Sequence, residues 1–228
     1  MPFGFLPIFS IYLPDTLNPL SLYFDNGNAY IGTAEGVIMV NNNEFVKINN
    51  PVMSLCKSKA GVWALTPYKI RIFGDNGEEI TNLKFPESVK TLRCYQKGVY
   101  ITTENRIVYI PPSSAPRAVV SGWFADALWS GDTLYLLSDY AIKFFYNGKV
   151  RTLLNLRINT SAIRFEKFDR WFFVLDGDNW LWVADKMGAT KIITADNFTT
   201  KGDTLILFRR ERFGNFIYVL KILRYGEN

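Results

Sequence analysis

Gly61-Val-Trp-Ala-Leu-Thr-Pro-Tyr-Lys-Ile-Arg-Ile-Phe73 is the stretch that decides the fold. It reads as an antiparallel hairpin: a small residue, a largely apolar run ending in Thr66, a short polar turn and a second strand. The frame recurs at 28–33 with 37–40, at 98–103 with 106–110, and at 132–137 with 141–145. Two further copies lie at 169–175 with 180–183 and at 203–208 with 216–219. The anchors Asn28, Gly61, Gly98, Asp132, Asp169 and Asp203 follow one another at 33, 37, 34, 37 and 34 residues. Six copies at one period make a repeat architecture.

Around each hairpin stand two more short strands. In the second repeat these fall at 52–56 and 79–83, and every repeat but the last reads as four strands separated by Gly, Asn, Asp or Pro turn chemistry. The longest low-complexity connection is Pro111-Pro-Ser-Ser-Ala-Pro116. The sixth repeat gives only three strands, at 198–200, 205–208 and 216–223, whereas a spare β-branched and aromatic strand at 5–13 precedes the first. The surplus and the deficit are complementary, so the first strand is expected to pair with 216–223 and close a ring. Leu22, Leu55, Leu92 and Ile163 each lie six residues before their anchor, which marks a repeating apolar position on the innermost strand. Strands such as 61–65 are apolar on both faces, as expected when both faces pack on neighbouring sheets.

Composition narrows the function. The 228 residues are 48% hydrophobic and 16% aromatic, enough to bury a large core. The net charge of +5 comes from 26 basic and 21 acidic residues, a mildly basic surface unlike that of a dedicated nucleic-acid binder. Residues 1–50 hold four acids against Lys47, and residues 201–228 hold six bases against three acids, so the charge is asymmetric along the chain. Histidine is absent, which removes every Ser-His-Asp and Cys-His mechanism. Cys56 and Cys94 occupy corresponding strands of adjacent repeats; they could bridge, but two buried thiols is the expectation for an intracellular chain. Neither a signal peptide nor an apolar run long enough to span a bilayer is evident. The expected setting is the cytoplasm or an assembly built there. Gln96 is the only glutamine while Ile, Lys, Tyr and Asn are plentiful, a bias of an AT-rich, thermophilic source, although the many Asn run against thermal adaptation.

This pattern resembles a six-bladed β-propeller over essentially the whole chain, with strand 5–13 completing the last blade. The expected blades are 18–49, 50–85, 86–120, 121–156, 157–195 and 196–228, forming one domain over 1–228. No WD40 or kelch signature is present. The resemblance implies that loops joining second to third strands share a face with the connections between blades. That face would carry Glu35, Tyr68, Glu104, Asp139, Tyr140, Asp176, Asp178, the basic segment Arg209, Arg210 and Arg212, and Trp123 after Ser121-Gly122.

Two readings follow. In the first, the propeller is a non-catalytic scaffold without a cofactor, a protein-binding component of a larger viral or cell-surface assembly. Arg209, Arg210, Arg212, Tyr68, Tyr140 and Trp123 then make the contacts, and sequence-specific nucleic acid is not the partner. In the alternative, Glu35, Glu104, Asp139, Asp176 and Asp178 line a funnel that holds calcium for a hydrolase or lyase. Asp and Asn also fill turns for purely conformational reasons. Trp63, Trp171, Trp180 and Trp182 fall on strands and read as packing between blades.

Overall fold

The structure, a computed structural model, describes residues 3–14, 16–25, 28–39, 44–74, 76–95, 98–112 and 114–224. Turn residues expected at 26–27, 41–43 and 75, residue 113 of the proline-rich loop, and residues 225–228 of the last repeat lie outside the described residues. Every regular element among the described residues is a β-strand. Among the described residues no helix is long and apolar enough to cross a membrane.

The strands are β1 (Phe3–Leu13), then β2 (Pro19–Asp25), β3 (Asn28–Thr33), β4 (Gly36–Met39) and β5 (Glu44–Lys47) of the first blade. The second holds β6 (Ser54–Ser58), β7 (Gly61–Leu65), β8 (Ile70–Phe73) and β9 (Glu79–Leu83). The third holds β10 (Val89–Tyr95), β11 (Gly98–Thr103), β12 (Arg106–Ile110) and β13 (Arg117–Ser121). The fourth holds β14 (Asp126–Ser130), β15 (Thr133–Ser138), β16 (Ala141–Tyr146) and β17 (Lys149–Asn155). The fifth holds β18 (Ala162–Phe168), β19 (Trp171–Asp176), β20 (Trp180–Asp185) and β21 (Gly188–Thr194). The last holds β22 (Asn197–Lys201), β23 (Thr204–Glu211) and β24 (Gly214–Arg224). Five sheets are meanders in chain order, and the sixth runs β22-β23-β24-β1.

The expected closure is present. β1 pairs antiparallel with β24, from Phe5 opposite Ile222 to Leu13 opposite Asn215. Buried side chains fall into six clusters, one at each junction between neighbouring blades. Strand periodicity explains this. Trp63 and Leu65 point into the core shared with the third blade, and Ala64 between them points into the core shared with the first. Phe172 and Val174 likewise face the fourth blade while Phe173 and Leu175 face the sixth. Two of the anchors are glycine for a steric reason. A Cβ on Gly61, where φ is +122°, would lie 2.0 Å from the Phe73 carbonyl oxygen.

Three expectations need correction. Cys56 and Cys94 form a disulfide, with Cα atoms 5.5 Å apart. They sit on the innermost strands β6 and β10, five and four residues before Gly61 and Gly98, so they are one residue out of step and both face one core. Ile163 does not share the buried position of Leu22, Leu55 and Leu92. It is the bulged residue between Ala162 and Arg164 and is exposed, and Phe165 takes the buried place opposite Val174. Finally, 209–214 is not a long loop. β23 and β24 continue pairing to Glu211 opposite Gly214, leaving Arg212-Phe213 as a two-residue turn.

Candidate functional site

Successive antiparallel strands reverse direction, so the turns after each second strand and the connections between blades emerge at one end of the ring. Backbone bonds knit this face. The Tyr140 carbonyl accepts from the Leu156 N–H at 2.7 Å, that of Asp139 from Ala162 at 2.7 Å, and that of Asn179 from Ala195 at 2.8 Å. Five of these turns are also held by a side-chain oxygen at the end of the second strand. Thr33, Thr66, Thr103 and Ser138 donate their hydroxyls to the carbonyls of Gly36, Lys69, Arg106 and Ala141 at 2.8–3.1 Å. In the fifth blade Asp176 takes that place. Its Oδ1 accepts from the Asp178 and Trp180 N–H groups at 3.0 and 2.9 Å, and its Oδ2 from Trp182 Nε1 at 2.8 Å. Asp176 is buried and its two oxygens are committed to the turn, which answers its conformational reading. The repeating hydroxyl was visible in the sequence as Thr33, Thr66 and Thr103, five residues after their anchors.

Of the other candidate carboxylates, Glu104 and Asp139 come near one common cation. Glu35 is exposed, and its carbonyl receives the N–H groups of Ile48 and Asn49 at 3.2 and 3.0 Å. Glu104 and Asp139 both act on Lys90, whose ammonium lies 4.2 Å over the Trp123 ring. Burial holds that ammonium below its ordinary pKa, against the pull of the two acids. Asp178 sits in the turn after Asp176. Among the described residues, no group of three His, Cys, Asp or Glu side chains could hold a metal ion.

The aromatic candidates share the face and are open to solvent. Tyr68 is 80% exposed at the second-blade turn; Tyr140 and Trp123 are half exposed at the fourth blade. Phe213, which sequence reading passed over, is 79% exposed at the sixth-blade turn with the Arg212 guanidinium 5.5 Å over its ring. Its signal was an apolar residue at the tip of a charged hairpin. A cleft of about 80 Å³ opens beside Tyr68, with Met53, Glu87 and Val89 in its walls. The three arginines separate. Arg210 bonds the Pro19 carbonyl at 3.3 Å and approaches Asp196 at 3.9 Å, so it stitches the last blade to the first. Arg209 lies 3.7 Å from Glu211, and Arg212 stands in the turn.

Below this face, the innermost strands carry a buried charge network. The Arg93 guanidinium of β10 pairs with Asp126 of β14 and Glu166 of β18, and also donates to the Phe165 carbonyl at 2.9 Å. Asp126 further accepts from the Thr91 hydroxyl at 3.0 Å, and Arg164 approaches Glu166 at 3.7 Å. Burial alone would lower the Arg93 pKa, but Asp126 and Glu166 overcome it and hold the pKa above its ordinary value. Burial and the neighbouring Arg93 push Arg164 down to about 10. Tyr23, on the innermost strand of the first blade, is raised to about 12 by burial and then by Asp25. The network joins three blades around the channel, and its carboxylates are engaged by cations. That is a structural tie; it offers no free general base. A charged residue inside each of the strands 89–95, 126–130 and 162–168 was its sequence signal.

No protein-family model matches the chain, and no curated protein sequence matches it. Among solved structures, the WD40 β-propeller domain of Doa1 aligns with a TM-score of 0.65 at 12% identity, over 96% of this chain and 97% of that one. The chain is a six-bladed β-propeller. BamB from Moraxella catarrhalis gives a TM-score of 0.59 at 12% identity, over 96% of the propeller and 100% of its own chain. The extracellular domain of the putative one component system BT4673 from B. thetaiotaomicron gives 0.64 at 13% identity, over 99% of the propeller but 40% of its own chain. At these identities the likeness is one of fold.

Proposed function

We propose that the propeller is a non-catalytic interaction module that docks a protein partner, within a larger assembly, on the face bearing its blade connections. The observation that carries this reading is the set of solvent-open aromatics on that face, Tyr68, Trp123, Tyr140 and Phe213, with Arg212 beside the last. Aromatic and arginine side chains carry most of the energy at protein contacts, and these stand in short turns and connections between strands. Arg209 and Arg210 serve as a flanking cationic border. Their exposed charge steers an acidic partner, with a screening length of about 8 Å at physiological salt. The calcium-dependent hydrolase or lyase remains the competing reading, and it needs rim carboxylates that converge on an ion. Disulfides persist in oxidising compartments and inside hyperthermophiles. The Cys56–Cys94 bridge therefore supports placing the module outside an ordinary reducing cytosol.

The test is affinity capture from an extract of the source organism, with three forms of the propeller compared quantitatively. In one, Tyr68, Trp123 and Tyr140 become Ser; in the second, the opposite-face residues Tyr146 and Met187 become Ser. Both variants should melt like wild type. Partners should be lost with the first variant and kept with the second. Loss with the second alone, or equal capture by all three, overturns the reading.

A further inference from the structure

The outermost strand of each blade is a sheet edge with unpaired backbone groups, and proteins protect such edges with charge, shortness and bulges. Five edges here follow that rule. β5, β9, β13, β17 and β21 are four to seven residues long, and each includes a charge: Glu44 and Lys47, Glu79, Arg117, Lys149 and Arg151, or Lys191. β9, β13, β17 and β21 are also bulged against their neighbours.

β1 departs from all of them. It is eleven residues long, and the sequence holds no charged residue before Asp15. Leu6, Ile8, Phe9 and Tyr12 are each more than half exposed, and Pro7 and Ser10 are open between them. This makes a continuous apolar strip in a chain whose other edges are charged. Its protective devices are Pro7 and one bulge at Ile8. Phe5, Ile11 and Leu13 of the same strand turn inward onto the cores, so the strip is the strand's outer surface and not loose core.

We infer that β1 is a docking edge for a second copy of this chain, which pairs its own β1 antiparallel across a two-fold axis. The absence of charge selects this occupant. A charged partner strand finds no counter-charge on β1, whereas two copies of β1 meet without like-charge repulsion and present the same surface to each other. Antiparallel pairing then joins two four-stranded blades into one continuous sheet, the geometry of strand addition. Pro7 has no N–H to give, so the backbone ladder runs from residue 8 to residue 12 about an axis at Ser10, which sets the two copies of Ser10 opposite each other, while Leu6 adds side-chain contact beyond it. A single edge strand covers less than the roughly 800 Å² per partner of a standard interface. That is a small interface, so assembly depends on protein concentration.

Sedimentation equilibrium over a wide concentration range tests this, using wild type, Ile8→Lys and, as an edge control, Val150→Lys on β17. Wild type and the control should show the same monomer–dimer equilibrium, and Ile8→Lys should associate at least tenfold more weakly. A Ser10→Cys variant provides an independent reading should Ile8→Lys fold poorly, because mild oxidation should trap a covalent dimer. A wild type that stays monomeric throughout overturns the inference, even if it captures an added strand-forming peptide. So does a dimer that Ile8→Lys leaves intact, or a Ser10→Cys protein that remains monomeric under oxidation.

Discussion

Replacing Arg93 by Met should be among the most damaging single changes available to this protein. The apolar stem is kept, but the guanidinium that ties Asp126 to Glu166 is removed. Asp126 is fully buried, and it would keep only the Thr91 hydroxyl and the backbone N–H groups of Ala127 and Phe165. Glu166 would keep only the longer approach of Arg164 at 3.7 Å. Removing one partner of a buried ion pair costs about 3–5 kcal/mol, because a charge is left in a medium that solvates it poorly. For a chain of this size each kcal/mol moves the melting temperature by about 2–4 °C, so a fall of roughly 6–20 °C is expected. Circular dichroism melts and urea titrations of wild type and Arg93→Met measure it. A variant in which Arg93, Arg164, Asp126 and Glu166 all become apolar should recover most of the loss, since a well-packed apolar cluster can replace buried ion pairs. If Arg93→Met unfolds within about 0.5 kcal/mol of wild type, as an ordinary surface change does, the network is solvated and the tie between three blades does not exist.

Changing both Cys56 and Cys94 to Ser opens a loop with a sequence separation of 38, which should lower stability by about 4 kcal/mol by loop entropy; unchanged urea midpoints would show that the bond is not formed. Asp176→Ala frees three donors and should cost about 3 kcal/mol, with calcium and EDTA leaving both melts where they are. A calcium-dependent rise in the wild-type melt that Asp176→Ala abolishes would instead support the hydrolase reading. The Tyr23 phenol is raised to about 12 by burial and then Asp25, so the folded state holds that proton longer than the unfolded chain does. Its contribution is complete below pH about 10 and is lost as pH climbs through 12. Between these limits wild type should lose more stability than Tyr23→Phe in urea titrations, and equal losses would show that its partial burial does not hold the Tyr23 proton.

Most of the fold was legible because a repeat states each packing rule six times. The anchors mark the hairpins, and strands apolar on both faces call for a neighbour on each side. The spare strand at 5–13 has one vacant place to go. The site was less legible, since its geometry depends on which residues the ring brings together from distant parts of the chain. Arg93, Asp126 and Glu166 are far apart in sequence and meet only around the channel. Cys56 and Cys94 looked like independent thiols until their strands became neighbours. Ile163 kept the spacing of Leu22 but not its burial, because it is itself the bulged residue, whereas in the first and third blades the bulge falls two residues ahead of Leu22 and Leu92. Residues 209–214 read as a long basic loop by composition, whereas alternating pairing carries two of the arginines into a hairpin and commits Arg210 to the Pro19 carbonyl.

Closure of the ring by the N-terminal strand underlies everything placed on its two faces, and a cysteine pair across that seam tests it most directly. Tyr12 and Phe216 are register partners on β1 and β24, with ring centroids 5.6 Å apart. In a Tyr12→Cys, Phe216→Cys double variant the two thiols should oxidise quickly to an intramolecular disulfide, because strand neighbours lie within the span such a bond requires. Mass spectrometry should find the peptides containing residues 12 and 216 linked within one monomer. Thiols that stay free under oxidation, or link only between molecules, would contradict the closed propeller.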